Sequence, residues 1–235
     1  MEFSLLGAAA IGVFGFWIMI RWEAKRGNAA GCAVDIWDTG LVAAIAGLFI
    51  GRIVSMIQTG VNPLTEPLQI MLVRSGVSTV AVVIGTLLVF SFLARNALVA
   101  AADGIAPAAL MGLAGWYAGC LATGSCLGAE SSLPWAVALP GSQITRHPVE
   151  IYAAIGMALA SIALALWKQY GRPAPGSVAG LALLSASIIR LGTEPLRISL
   201  AGGPMLLYSA GVVAGAAMFV ASIVSKRRTT KESTG

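Results

Sequence analysis

The sequence predicts an all-α polytopic membrane protein, a bundle of seven transmembrane helices with its N-terminus outside and its C-terminus in the cytoplasm. Three observations predict it. Of the 235 residues, 57% are hydrophobic and 11% charged, roughly half of the about 25% charge usual in soluble domains. The apolar residues fall into runs near the roughly 20 residues that cross a hydrocarbon core, which calls for helices rather than a barrel. The basic residues collect between alternate runs and in the tail, where they set topology. The net charge of +5 therefore points to membrane orientation and not to a nucleic-acid partner. Residues 1–225 read as one membrane-embedded domain and 226–235 as a basic cytoplasmic tail of disordered composition.

Span one covers Phe3 to Ile20. Its positive charges, Arg21, Lys25 and Arg26, follow it, whereas a cleaved signal peptide carries them in front, so it is expected to be retained. After a charged loop from Glu23 to Asp38, span two runs from Thr39 to Gln58 and contains Arg52. The GVNPLTEP segment that follows is a loop, because two prolines and an Asn-Pro pair break a helix. Span three is Gly76 to Leu93, between Arg74 and Arg95.

Ala97 to Ala109 is apolar but interrupted by Asp103-Gly104 and Pro107. It is expected to form a short interfacial or hairpin piece leading into span four, Pro107 to Thr123. Gly112, Gly115, Gly119, Gly124 and Gly128 include two GxxxG spacings, best read as close helix packing. Span five is Pro148 to Trp167, with proline in the first turn, where it is tolerated. Span six is Ser177 to Thr193, stopped by Pro195, and span seven is Met205 to Val224. Seven spans with the N-terminus outside put Arg21, Lys25, Arg26, Arg95, Lys168, Arg172, Lys226, Arg227, Arg228 and Lys231 inside, which satisfies the positive-inside bias.

That topology leaves Arg52, Arg146, Arg190 and Arg197 in the outer half, where snorkelling to the cytoplasmic face cannot account for them. Arg190, Glu194 and Arg197 share one helix face at i, i+4 and i+7, and Arg146, His147 and Glu150 are expected to cluster where span five begins. Ionised groups at membrane depth face one another or a polar cavity. One reading is an Arg/Glu network that pins helices together. The other gives four arginines against Glu150 and Glu194 spare charge for an anion, of which a lipid phosphate is the nearest candidate. Three cysteines and one histidine are too scattered for a zinc site or a disulfide framework. The spacing of Cys120 and Cys126 permits a bridge without requiring one.

Leu133-Pro134-Trp135-Ala136-Val137, then Pro140, then Arg146-His147-Pro148-Val149-Glu150-Ile151-Tyr152 resembles the LPWAV…P…RHPxQLYE signature of the prolipoprotein diacylglyceryl transferases. The glycine-rich stretch Cys120 to Gly128 resembles that family's preceding signature, Gly51-Arg52 its Gly-x-Arg element, and Arg190, Glu194 and Arg197 the R…E..R near the end of its sixth helix. The resemblance covers Gly51 to Arg197. It implies transfer of the diacylglyceryl group of phosphatidylglycerol to the lipobox cysteine of a prolipoprotein signal segment, without metal or redox cofactor, at the outer face of a bacterial plasma membrane. It also implies catalytic roles for His147, Arg146, Arg190 and Arg197. Arg52, Cys120, Gly128, Glu150, Tyr152 and Glu194 would bind substrate.

The chain departs from the family pattern at Tyr117, Cys120 and Ser125, which stand where an arginine, an asparagine and an acid are usual. Its Arg74 to Ser78 stretch lacks the family's histidine, and no tyrosine precedes Tyr117. A second reading is therefore a transferase-like accessory protein that binds phospholipid or lipoprotein precursors without turning them over. A small transporter is a third, but the two halves show no internal symmetry.

Overall fold

In this computed structural model the residues described are 4–28, 35–66, 77–119, 127–138, 141–197 and 203–232, with the side chains of 4–6 and 228–232 excepted. Among them are seven helices: α1 Ser4–Ala24, α2 Ile36–Gln58, α3 Thr79–Leu93, α4 Leu98–Gly119, α5 Val149–Gly171, α6 Ser177–Thr193 and α7 Met205–Glu232. Between α4 and α5 lie two short antiparallel strands, β1 Val137–Ala138 and β2 Thr145–Arg146, a small exception to the all-helical expectation. A 3-10 turn, Glu194–Leu196, extends α6. Helices α2, α4, α5, α6 with its extension, and α7 are long and apolar enough to cross a bilayer, and α3 is a shorter apolar helix. Side chains such as Phe14, Phe49, Leu88, Leu159 and Val213 point out of the bundle. The protein is thus a helical membrane bundle, its outward apolar faces suited to lipid.

Helix α4 stands at the centre, packed against α1, α5 and α6, while α2 pairs with α3 and α6 with α7. Ala106, Leu110 and Ala114 of α4 meet Met157 and Leu164 of α5 and Val178 and Ala182 of α6. Lipid tails supply no hydrophobic drive between helices, so close backbone approach does the holding. A Cβ at Gly15 of α1 would lie 2.8 Å from the Met111 carbonyl of α4, and one at Gly215 of α7 would lie 2.8 Å from the Gly180 carbonyl of α6. Gly115 and Gly119 press on the backbone of Ile11 and Ala8 in the same way. The GxxxG spacing of α4 is a packing device, as the sequence suggests.

Besides shifts of a few residues at the ends of α2, α3 and α5, three boundaries differ from the sequence reading in ways that change where polar groups lie. The expected break at Asp103-Gly104 and Pro107 is absent, and α4 is one helix from Leu98 to Gly119 with Pro107 inside it. Neighbouring helices satisfy the polar groups there. Asp103 Oδ2 and Oδ1 accept from Gly176 N at 2.5 Å and Ala179 N at 2.8 Å, capping α6. Ser161 Oγ donates to the Pro107 carbonyl at 2.6 Å, and Lys168 Nζ donates to the Gly104 carbonyl at 3.4 Å. Membrane helices tolerate proline where neighbouring helices help to satisfy the backbone around it, and here outside donors reach the Gly104 and Pro107 carbonyls.

At the other two boundaries the helices run on. Helix α1 continues past Arg21 to Ala24, and Glu23, expected in a loop, is 2% exposed with its carboxylate 2.7 Å from Lys168. Lys168 therefore turns inward rather than snorkelling out. Helix α7 carries on to Glu232, through the basic residues assigned to a disordered tail.

These contacts give the bundle two distinct ends. One holds the Asp103 cap, the Glu23–Lys168 pair, and Lys226 Nζ donating to the Arg172 carbonyl at 2.9 Å. The other gathers the end of α4, the strands, the start of α5 and the end of α6.

Candidate active site

At this second end, Glu150 sits in the first turn of α5 and Arg190 in the last turn of α6. Both are buried. Arg190 Nη1 donates to Glu150 Oε2 at 2.9 Å, and Nη2 donates to Glu194 Oε2 at 2.7 Å. The second of these is the i, i+4 pair that the helix period predicts. Arg197, one residue beyond the 3-10 turn, closes a ring: its Nε lies 3.0 Å from Glu150 Oε1 and its Nη1 3.3 Å from Glu194 Oε1. Each carboxylate thus holds both guanidiniums. Taking charges out of water is costly, and a pair repays that cost only when the remaining lone pairs and donors are met, as they are here.

The two arginines differ in what they have left to offer. Arg190 Nε also approaches Tyr208 Oη at 3.4 Å. The rings of Tyr117 and Tyr208 lie 4.7 and 5.6 Å from its guanidinium carbon. With its edges bonded and aromatic rings against it, Arg190 is saturated. The Arg197 side chain is 42% exposed and gives the ring its accessible cation. Gly203, with φ +65°, lies against the Glu194 carboxylate in the space that a Cβ would fill.

A second group stands beside this ring. Residues 127–131 run antiparallel to 145–147: Gly128 N donates to the His147 carbonyl at 2.8 Å, His147 N to the Ala129 carbonyl at 3.0 Å, and Ser131 N to the Thr145 carbonyl at 2.9 Å. Ala129 N donates to the Leu196 carbonyl at 2.7 Å, which ties this segment to the turn that presents Arg197. Gly128 has no room for a side chain, because the Leu196 carbonyl and Val149 press on it. Trp135 Nε1 donates to Tyr152 Oη at 2.8 Å, and His147 Nδ1 lies 3.4 Å from the same oxygen. The two halves of the LPWAV and RHP signature therefore meet at one phenol.

The predicted site residues divide as follows. Glu150, Arg190, Glu194 and Arg197 form the ring. His147 and Tyr152 make the adjoining pair. Arg146 does not cluster with Glu150 as expected: Nη2 lies 3.6 Å from Glu130 and Nη1 donates to the Gly128 carbonyl at 3.3 Å. Arg146 belongs to β2, ahead of the helix, so the i, i+4 spacing does not apply to it. Arg52 is buried on α2. The opposite end of α2, at Ile36 and Gly40, packs on Gly104 and Ile105, which puts Arg52 toward the ring's end of the bundle. Cys120, with Ser125 and Cys126, lies outside the described residues.

Sequence reasoning missed Glu130, Tyr208 and Gly203, and it named Tyr117 without a partner. Glu130 changes the charge count, since the ring is electroneutral and Arg146 has its own carboxylate. The i, i+4 separation of Arg190 and Glu194 is the local signal that the sequence carried for the ring.

The fold and site define a polytopic helical membrane protein that concentrates guanidinium and carboxylate groups at one end of its bundle, with one guanidinium exposed. Residues 3–226 match the prolipoprotein diacylglyceryl transferase family, and the chain belongs to that family. It is 28% identical over 188 residues to the phosphatidylglycerol–prolipoprotein diacylglyceryl transferase of Bordetella avium (strain 197N), across 76% of this chain and 70% of that protein. To the enzyme of the same name from Cupriavidus metallidurans it is 30% identical over 178 residues, 73% of this chain and 65% of the relative. The match to the Idiomarina loihiensis enzyme is 34% over 96 residues, 40% of this chain and 36% of that protein.

Proposed function

We propose that this protein transfers the diacylglyceryl group of phosphatidylglycerol to the lipobox cysteine of prolipoproteins at the outer face of a bacterial plasma membrane. Membership of the family supports the reaction. The observation that carries the site is the Glu150–Arg190–Glu194–Arg197 ring, which fixes an exposed guanidinium at one end of a membrane bundle. The outward orientation is supported by the exposed cations Arg21, Lys25, Arg26, Arg95, Arg172, Lys226 and Arg227, which lie at helix ends remote from the ring.

In this reading the cysteine sulfur attacks the glyceryl carbon, the bond from that carbon to the phosphate oxygen breaks, and glycerol phosphate leaves with the electron pair. Arg197 and Arg146 stabilise the charge that develops on the leaving phosphate, because guanidinium groups bind phosphate oxygens bidentately. Arg190 works through the carboxylates: it fixes Glu150 and Glu194, and they hold Arg197. Reaction also requires loss of the thiol proton, since the thiolate is the nucleophile. His147 is the one imidazole of the chain. It takes this proton, with Tyr152 orienting its ring.

The test incubates purified protein with phosphatidylglycerol and a lipobox peptide and reads the peptide by mass spectrometry. A peptide heavier by one diacylglyceryl group is expected, and its loss in Arg197→Ala and Arg146→Ala. No adduct under conditions where the Bordetella avium relative forms one would refute the transfer. The electroneutral ring and saturated Arg190 favour a second reading, an accessory protein that holds phosphatidylglycerol without turnover. Saturable lipid binding with no adduct would select it.

A further inference from the structure

The segment from Leu127 to His147 carries charge only at its base, at Glu130 and Arg146. Beyond that base Leu133, Trp135, Val137 and Ile144 are all exposed, Trp135 to 57%. Exposed apolar side chains on a loop beside a polar site need a partner. The position of Trp135 identifies it. Its indole N–H is already bonded to Tyr152 Oη. Tyr152 heads a stripe on α5 that continues through Ile155, Leu159, Ile162 and Leu166 at helical spacings of three and four, and these four are exposed as well. Helix α5, 23 residues long, spans about 34 Å at 1.5 Å per residue, against a hydrocarbon core of about 30 Å. Trp135 therefore caps the lipid-facing column of α5 at the level where that column leaves the hydrocarbon.

We infer that the β1–β2 hairpin lies in the headgroup region of the bilayer, with Leu133, Trp135, Val137 and Ile144 dipping into the acyl boundary. Tryptophan favours this depth, because its ring is apolar and its N–H needs one polar partner. Here the protein supplies that partner. The hydrogen bond from Ala129 to the Leu196 carbonyl couples the hairpin base to Arg197. The bilayer interface thus sets the depth of the exposed guanidinium, at the level of lipid phosphates, whichever reaction the ring performs. A hydrophobic peptide is the competing occupant, but the continuity of the patch with the α5 stripe favours lipid.

The full chain, reconstituted into vesicles of phosphatidylcholine and phosphatidylglycerol, tests this. Some of the lipids are brominated either near the ester carbonyls or near mid-chain. The fluorescence difference between the wild type and Trp135→Phe isolates Trp135 from the other tryptophans. A second reporter, Ile144→Trp in the Trp135→Phe background, is independent of the Tyr152 hydrogen bond. For both reporters, shallow bromines should quench about twofold more than deep ones, and aqueous iodide weakly. Strong iodide quenching with no bromine quenching would put the hairpin in water and overturn the inference. So would deeper quenching than shallow, or loss of lipid quenching on addition of a lipobox peptide, which would make the patch a peptide site.

Discussion

The guanidinium carbon of Arg190 lies 4.7 Å from the centroid of the Tyr117 ring, so a phenol covers one face of a cation whose edges are held by Glu150, Glu194 and Tyr208. Cation–π attraction needs the ring and not the hydroxyl. Tyr117→Phe should therefore keep transfer activity and lie within about 1 kcal/mol of wild-type stability. Tyr117→Ala should lose about 3 kcal/mol, the low end for emptying an aromatic site, because Tyr117 is partly buried. Reversible unfolding in mixed micelles distinguishes them. Equal losses would mean that the hydroxyl, rather than the ring, holds Arg190.

The ring predicts a separation between stability and activity. Glu150→Ala leaves the buried Arg190 with Glu194 as its one carboxylate and the ring with a net positive charge, so it should cost about 3 kcal/mol, the low end for breaking a buried ion pair. Arg197→Ala removes a side chain that is 42% exposed, so it should cost about 1 kcal/mol while transfer falls below detection. Unfolding and peptide-modification assays on the same preparations check both. A destabilised but active Arg197→Ala would remove that residue from the site.

How much of this was legible in the sequence depended on whether the signal was local. Arg190 and Glu194 share a face because a helix repeats every 3.6 residues, and the sequence is enough to see it; Arg197 joins them because the Glu194–Leu196 turn brings it back to both carboxylates. Glu150 reaches Arg190 across 40 positions through the packing of α5 on α6; charge at membrane depth groups it with the arginines, but only the fold shows which of them it holds. Arg146 was assigned to the same cluster by applying helical spacing to a residue that lies on a strand. Glu130, its partner, is set by strand pairing across 16 residues. Pro107 misled for the opposite reason. Its local meaning is a break, but Ser161 and Lys168 supply donors from α5, and the carbonyl groups of α4 are met from outside the helix.

Gly203 offers a test of the ring from its backbone side. At φ +65° an L-residue pays about 1–2 kcal/mol, and a Cβ would meet the Glu194 carboxylate, which Arg190 and Arg197 already hold in place. Gly203→Ala should therefore lower stability by about 2 kcal/mol or more and reduce transfer by displacing Glu194. If activity survives while stability falls, the geometry of Glu194 matters less to Arg197 than the second carboxylate, Glu150, does.

Asp103 provides the control at the far end of the bundle. Its carboxylate accepts from Gly176 N and Ala179 N and so caps the first turn of α6 from a neighbouring helix. Two donors at a helix N-terminus, together with the favourable position of an anion there, are worth about 1–2 kcal/mol. Asp103→Ala should lower stability by that amount, because the freed N–H groups lose both acceptors at once. It should leave the rate of transfer unchanged, since α6 is pinned at its other end by Arg190 through Glu150. Measured turnover at saturating phosphatidylglycerol decides the matter. A fall in turnover as large as that of the Arg197 variant would show that α6 shifts as a rigid rod and carries Arg190 with it, so that the two ends of the bundle are mechanically coupled.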